Sequence, residues 1–442
     1  MAESSEITSL REDQAAERIS KHASAPKSPT DLRRAFFLIS VGLFITSLGQ
    51  PGVIGQLPFR NLFKTQFHLN ASEQANFFAI ATFAWYLKPL AGLLCDSFPL
   101  FGTRRRSYVI LASGVAAVAW ALFATLPRSY AVFFWLMMAL NGAMVIASTA
   151  VGGILVEVGQ KGHATGRLAS VRYGIDGVIN VIAGPLGGWL AARAFGWTAG
   201  LGALLLFSLI PATAWLLREP RNAQRNLEVW AAAATQFGLI RRSKTMWAAS
   251  ALLLLVFIAP GFGIALYYYQ QDVLQFSTEF IGRLQALSGI GGIVATALYA
   301  YFCRKLPLKH LLVGGILLNA ISSVIYLWYR SAQSAMVIDT ANGFLAILGI
   351  LPLFDLAARA TPEGSESFGY ALLMSVYNVA VFAISNPVGS WLYEHPSAAW
   401  HHNLDRLIWL NAGTSLIALI LIPLLPSVLL AHREGAPPSR TA

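Results

Sequence analysis

The chain has 442 residues, of which 56% are apolar and only 12% charged, with a mean hydropathy of +0.57. Soluble domains carry about a quarter charged residues, so this composition excludes an ordinary soluble protein and points to one that crosses a membrane many times. The net charge of +11 is not a nucleic-acid signal, because the basic residues sit between apolar spans and mostly on one side of them.

Residues 1–32 are polar and mixed in charge, with no apolar h-region. They read as a disordered tail and not as a signal peptide. Apolar spans then follow at 35–57, 74–95, 108–126, 130–157, 168–193, 197–217, 246–269, 279–303, 308–329, 331–358, 368–393 and 407–430. Each approaches or exceeds the roughly 20 residues that a helix needs to cross a bilayer. An even number of spans puts both termini on one face, and the excess of Lys and Arg on that face makes it cytoplasmic by the positive-inside rule. Cys95 and Cys303 fall near helix ends on that reducing side, so no disulfide is expected.

The longest polar connection, 218–245, divides the chain into six-helix halves at 33–217 and 246–431, with a short tail at 432–442. An internal repeat supports the division. The fifth span contains Gly184-Pro185-Leu186-Gly187-Gly188-Trp189-Leu190 and the eleventh Asn386-Pro387-Val388-Gly389-Ser390-Trp391-Leu392. Nine residues before each proline stands a polar group, Asp176 or Asn378. Expected, then, is an all-α membrane protein of twelve transmembrane helices in two pseudo-repeats, a layout similar to that of major facilitator carriers, whose substrates bind between the halves at mid-membrane.

Charges inside such a bundle usually mark a pathway. Lys88 lies eight residues before Asp96, hence about 12 Å from the cytoplasmic helix end. It is either a substrate or coupling group or half of a static pair. Asp176 and Asp339 are the candidate acids. Asp176 follows Arg172 by four residues, so the two can pair on one helix face. Asp339 has Asn342 one turn away and stands either on a buried polar face or at a wet helix end. Tyr267 and Tyr268, with Tyr269, form an interfacial belt or lend aromatic faces to a cavity; Trp85 invites the same reading. Gly92, Asp96, Arg104, Arg105 and Arg106 read as a gating latch. A carboxylate at a helix C-terminus is opposed by the dipole, so Asp96 requires a partner among the arginines or from the other half. Glu157 is read as an ion-pair partner of nearby arginines.

At these residues the sequence resembles the folate–biopterin transporter family of the major facilitator superfamily. The resemblance rests on Lys88-Pro89, Gly92, Asp96-Ser97, Pro99, Gly102, Arg104-Arg105-Arg106 and Tyr108; on Phe280, Gly282-Arg283-Leu284 and Leu306-Pro307-Leu308; and on Arg359, Pro362-Glu363-Gly364, Glu366, Phe368, Ala371-Leu372-Leu373, Ser375 and Asn378. It implies a membrane carrier of folates, pterins or related molecules, driven by protons. Expected alongside are alternating access, a monomer, a bacterial inner-membrane location and no cofactor or metal. The resemblance also implies Lys88 and Asp339 as site residues. One departure stands out: Ser148 and Gly152 occupy places where relatives carry aspartates shortly before the residue matching Glu157. That departure keeps a second class of function in view, a non-transporting assembly factor for tetrapyrrole-bearing light-harvesting complexes. An enzyme is not expected, since no nucleophile elbow, metal-ligand spacing or phosphate loop is present.

Overall fold

The computed structural model describes residues 29–103, 105–161, 165–217, 219, 228–361, 366–395 and 403–425. The side chains of Asp96, Glu157 and Arg172, and all of Arg104, lie outside the described residues. The architecture is entirely helical. The first half comprises α1 (Pro29–Leu48), α2 (Gln56–Thr65), α3 (Ala71–Ala81), α4 (Phe83–Tyr86), α5 (Lys88–Ser97), α6 (Arg106–Thr125), α7 (Tyr130–Lys161), α8 (Thr165–Ala191) and α9 (Gly196–Leu216). After α10 (Glu228–Arg242), the second half comprises α11 (Lys244–Phe257), α12 (Gly263–Asp272), α13 (Thr278–Lys305), α14 (Leu308–Val324), α15 (Ala332–Ala360), α16 (Glu366–Asn378), α17 (Asn386–Glu394) and α18 (Asn403–Ile417).

Eight of the described helical stretches are long and apolar enough to cross a membrane unaided, among them Arg106–Thr125, Tyr130–Ile154 and Ala332–Ala360. Polar side chains fix where several helices begin. Asn70 and Glu73 form a reciprocal capping box on α3, and Ser331 and Ser334 do the same on α15. Ser243 and Ser277 cap α11 and α13. Such caps satisfy amides that a helix leaves without partners.

Spans 1, 2, 7 and 11 depart from the continuous regular helices that the sequence suggests. Span 1 starts at Pro29, bends over 49–55 and resumes as α2; span 7 is interrupted over 258–262, around Pro260-Gly261. Span 2 is three pieces, α3 to α5, and span 11 carries a π-helical stretch, Val379–Ser385, before Pro387. The connection expected to be a polar loop contains the helix α10, which packs on α5 and α16. Proline removes a donor and crowds the preceding turn, and a glycine neighbour permits the resulting bend.

The repeated Pro-x-Gly motif explains how these breaks are housed. Gly187 of α8 faces the carbonyl of Ile54 at the bend in span 1, and Gly389 of α17 lies against Gly261 at the break in span 7. A Cβ at Gly389 would stand 1.8 Å from the Gly261 oxygen, so no other residue fits there. Each half therefore seats the bend of its first span on the same glycine of its fifth.

Candidate functional site: the seam between the halves

The break in span 2 gathers residues from three spans. Lys88 Nζ lies 5.3 Å from the centre of the Trp85 ring, a cation–π contact. The indole Nε1 donates to Asn141 Oδ1 of α7 at 2.9 Å. From the other half, Asn378 Nδ2 at the end of α16 donates to the Trp85 carbonyl at 3.2 Å. Trp85, Lys88 and Asn378 are each half-buried. Of the residues expected at the site, these three are brought together. A Cβ built on Gly152 of α7 would meet open space. Asp176 is half-buried in α8, next to Gly177 where that helix meets Ile293 of α13.

Asp339 is elsewhere. It is buried inside the second half, 7% exposed, and is not at a wet helix end. Its two oxygens accept from Tyr326 and Tyr329, each at 2.7 Å. Tyr329 in turn accepts from Gln270 of α12 at 2.6 Å. Asn342 is half-buried one turn along α15. Neither Tyr326, Tyr329 nor Gln270 was legible as a partner, because the two tyrosines end one span, Gln270 belongs to another, and Asp339 stands on a third.

Tyr267 and Tyr268 are buried in a seam between the halves on the face opposite the termini. Tyr268 donates to the Leu69 carbonyl and accepts from Gln74 at 2.6 Å, both in the first half. Tyr267 packs beneath Arg60, with its hydroxyl 3.5 Å from Asn61. Around them Lys64 bonds Asp272, and Glu394 accepts from the Ala71 amide at 2.8 Å. Leu57, Ala71 and Ala75 meet Ile264 and Ile281 there in one apolar cluster. Below it α8 and α13 approach so closely that a Cβ on Gly282 would stand 2.3 Å from the Gly184 carbonyl oxygen.

Of the expected latch, Gly92, Arg105 and Arg106 can be placed, whereas the Asp96 side chain and Arg104 lie outside the described residues. Arg105 donates to the Gly153 carbonyl and Arg106 to that of Ala214 at 3.0 Å, both inside the first half. Glu219 accepts from the amides of Arg105 and Arg106, at 3.1 and 2.9 Å, placing a carboxylate at the positive end of α6. Gly92 lies in ordinary contact with Thr149 of α7, again within the first half. The described arginines therefore bind α6 to α7 and α9. In the second half Asp355, which the sequence did not single out, forms a two-pronged pair with Arg359 at 2.7 and 2.8 Å and accepts from Tyr299 at 3.2 Å. Cys95 and Cys303 are buried, and neither is in a disulfide.

Helical halves that meet across such a seam, each with its own broken first span, define the major facilitator fold. Solved structures agree: the nucleoside transporter NupG matches with a TM-score of 0.69 over 89% of this chain and 99% of its own, at 11% identity. A D-xylose–proton symporter matches with a TM-score of 0.69 over 88% and 96%, at 13% identity. The particular family follows from sequence, since residues 52–435 match the model of the BT1 family, and the chain belongs to it. It is thus a transporter of the folate–biopterin transporter family and not an enzyme. The folate-biopterin transporter of Synechocystis is 28% identical over 85% of this chain and 78% of its own length. Folate transporter 1 of Plasmodium falciparum is 22% identical over 85% and 77%.

Proposed function

We propose that this chain is a proton-coupled secondary carrier of folates, pterins or similarly flat organic anions, working by alternating access. The observation that carries the reading is Lys88: an ammonium at mid-membrane, set against an indole at the seam, in a chain of this family. A charge inside a membrane bundle is costly and usually marks a pathway, which suits recognition of an anionic substrate. Lys88 then attracts the substrate's carboxylate while Trp85 offers an aromatic surface to its ring. Asp339 is the acid assigned to the proton, since it is a buried carboxylate linked through Tyr329 and Gln270 to α12, which forms part of the opposite seam. Names of relatives support the substrate class: two of them are called folate or folate-biopterin transporters. The positive-inside bias supports an inner-membrane location with both termini cytoplasmic.

The test is thermal stability of the purified, detergent-solubilised protein with folic acid, biopterin, amino acids and tetrapyrroles. A ligand bound to the folded state raises stability by mass action. Stabilisation by folic acid or biopterin that Lys88→Ala abolishes supports the reading. Stabilisation by tetrapyrroles alone overturns it.

A further inference from the structure

The break in span 2 leaves two backbone carbonyls without helical partners. The Trp85 oxygen is one, because the residue four places on is Pro89, which has no N–H. Ala81 is the other, because the Trp85 amide that should bond it turns back to the Thr82 oxygen at 2.9 Å. Away from water, an unsatisfied carbonyl costs several kcal/mol (roughly). Each of these two is met by a carboxamide from a different span. Asn378 of the second half takes the Trp85 oxygen at 3.2 Å, and Asn141 of α7 takes the Ala81 oxygen at 3.0 Å.

Asn141 does more than fill a gap. It is 2% exposed, its second N–H bond goes to the Met137 carbonyl at 3.0 Å, and its oxygen receives the Trp85 indole N–H at 2.9 Å. Both amide hydrogens and the acceptor are thereby engaged. Leucine has the volume but neither function, and an ionised aspartate lacks the donors. The carboxamide thus sets the rotation of the indole relative to the chain that carries Lys88, three residues further on. The same indole supports the Lys88 ammonium at 5.3 Å.

We infer that Asn141 is a positioning residue for substrate recognition: it holds Trp85, and through it Lys88, at the break in span 2. The inference rests on the reading of Trp85 and Lys88 as the substrate site. Asn141 stands in an otherwise apolar stretch of α7, where a lone polar residue gives no sequence signal of this role.

Uptake of radiolabelled folic acid by cells expressing the full chain tests it, with KM and Vmax measured separately and membrane levels compared. Asn141→Leu and Trp85→Phe should each raise KM by about three- to tenfold, the size of one lost hydrogen bond, with Vmax per transporter little changed. The double variant should be no worse than the poorer single one, since both remove the same contact. Additive losses, or a fall in Vmax alone, overturn the inference. Lys88→Ala, run in parallel, separates the two readings. Parental uptake by Lys88→Ala sinks the substrate-site reading, whereas impaired Lys88→Ala beside a parental KM in Asn141→Leu sinks only the role of Asn141. A spectral arm needs no substrate and covers a leucine variant that fails to reach the membrane. The emission of Trp85, obtained by subtracting spectra with and without Trp85→Phe, should shift in an Asn141→Ser background. An unchanged Trp85 spectrum overturns the inference.

Discussion

Lys88 and Asp339 are both ionisable groups within spans, but their surroundings assign them different work. Lys88 is half-buried with its ammonium set against the Trp85 ring, a place where it can meet a charged ligand. A charge-assisted hydrogen bond is worth about 1.5–3 kcal/mol. Lys88→Ala should therefore reduce folate uptake by about ten- to a hundredfold, with the amount of protein in the membrane unchanged by immunoblot. Parental uptake by that variant sinks the assignment. Asp339 instead has both oxygens occupied by tyrosine hydroxyls. Tyr326→Phe removes one donor and should lower the protein's stability by about 1 kcal/mol, while Asp339→Ala, which orphans two buried hydroxyls, should lower it further. Thermal unfolding in detergent measures both, and equal stability of the two variants argues against the shared cap.

Among the helices, the cross-half contacts on the face opposite the termini form one unit. Lys64 with Asp272, Tyr268 with Gln74 and Leu69, and Glu394 on the first amide of α3 all join first-half residues to second-half residues. Opening that face requires these bonds to part together. In a background of Cys95→Ser and Cys303→Ser, a cysteine replacing Gln56 should react slowly with a membrane-impermeant maleimide added outside intact cells. Lys64→Ala, or Gly282→Val wedged against the Gly184 carbonyl, should speed that reaction several-fold. Equal rates in all three proteins show that this seam does not govern access. The all-helical membrane fold and the repeated Pro-x-Gly motif were legible in the sequence because hydropathy and spacing act locally. Breaks were only half legible. Pro89 and Pro260-Gly261 announce interruptions, yet nothing local says that Asn378 and Asn141 receive the freed carbonyls. The tyrosines of α12 carry the same ambiguity: aromatic residues at a helix end suit lipid, cavity or seam, and only the packing of α12 against α3 and α17 decides. The contacts of Arg105 and Arg106 were not legible for a related reason, since Glu219 and the carbonyls of Gly153 and Ala214 are remote from them in sequence.

Across the whole molecule, a proton-driven cycle needs an acid whose charge is felt by a moving contact. Asp339 meets that condition through a short chain of hydrogen bonds: Tyr329 donates to it at 2.7 Å and accepts from Gln270 at 2.6 Å. Gln270 belongs to α12, the helix that also presents Tyr268 and Asp272 to the first half. Placing a proton on Asp339 weakens its hold as an acceptor on Tyr329, which loosens the anchor of α12 and so biases the seam toward opening. Asp339→Asn fixes the neutral condition while keeping nearly the same shape. The variant should lose accumulation of folate against its gradient under an imposed proton gradient, because no proton is released at that site. Exchange of external labelled folate for internal unlabelled folate should continue, since exchange requires the halves to rock but no net proton movement. Proteoliposomes measure both modes on one preparation. Loss of exchange together with accumulation makes Asp339 a structural anchor of the second half, and retention of gradient-driven accumulation assigns the proton to another acid.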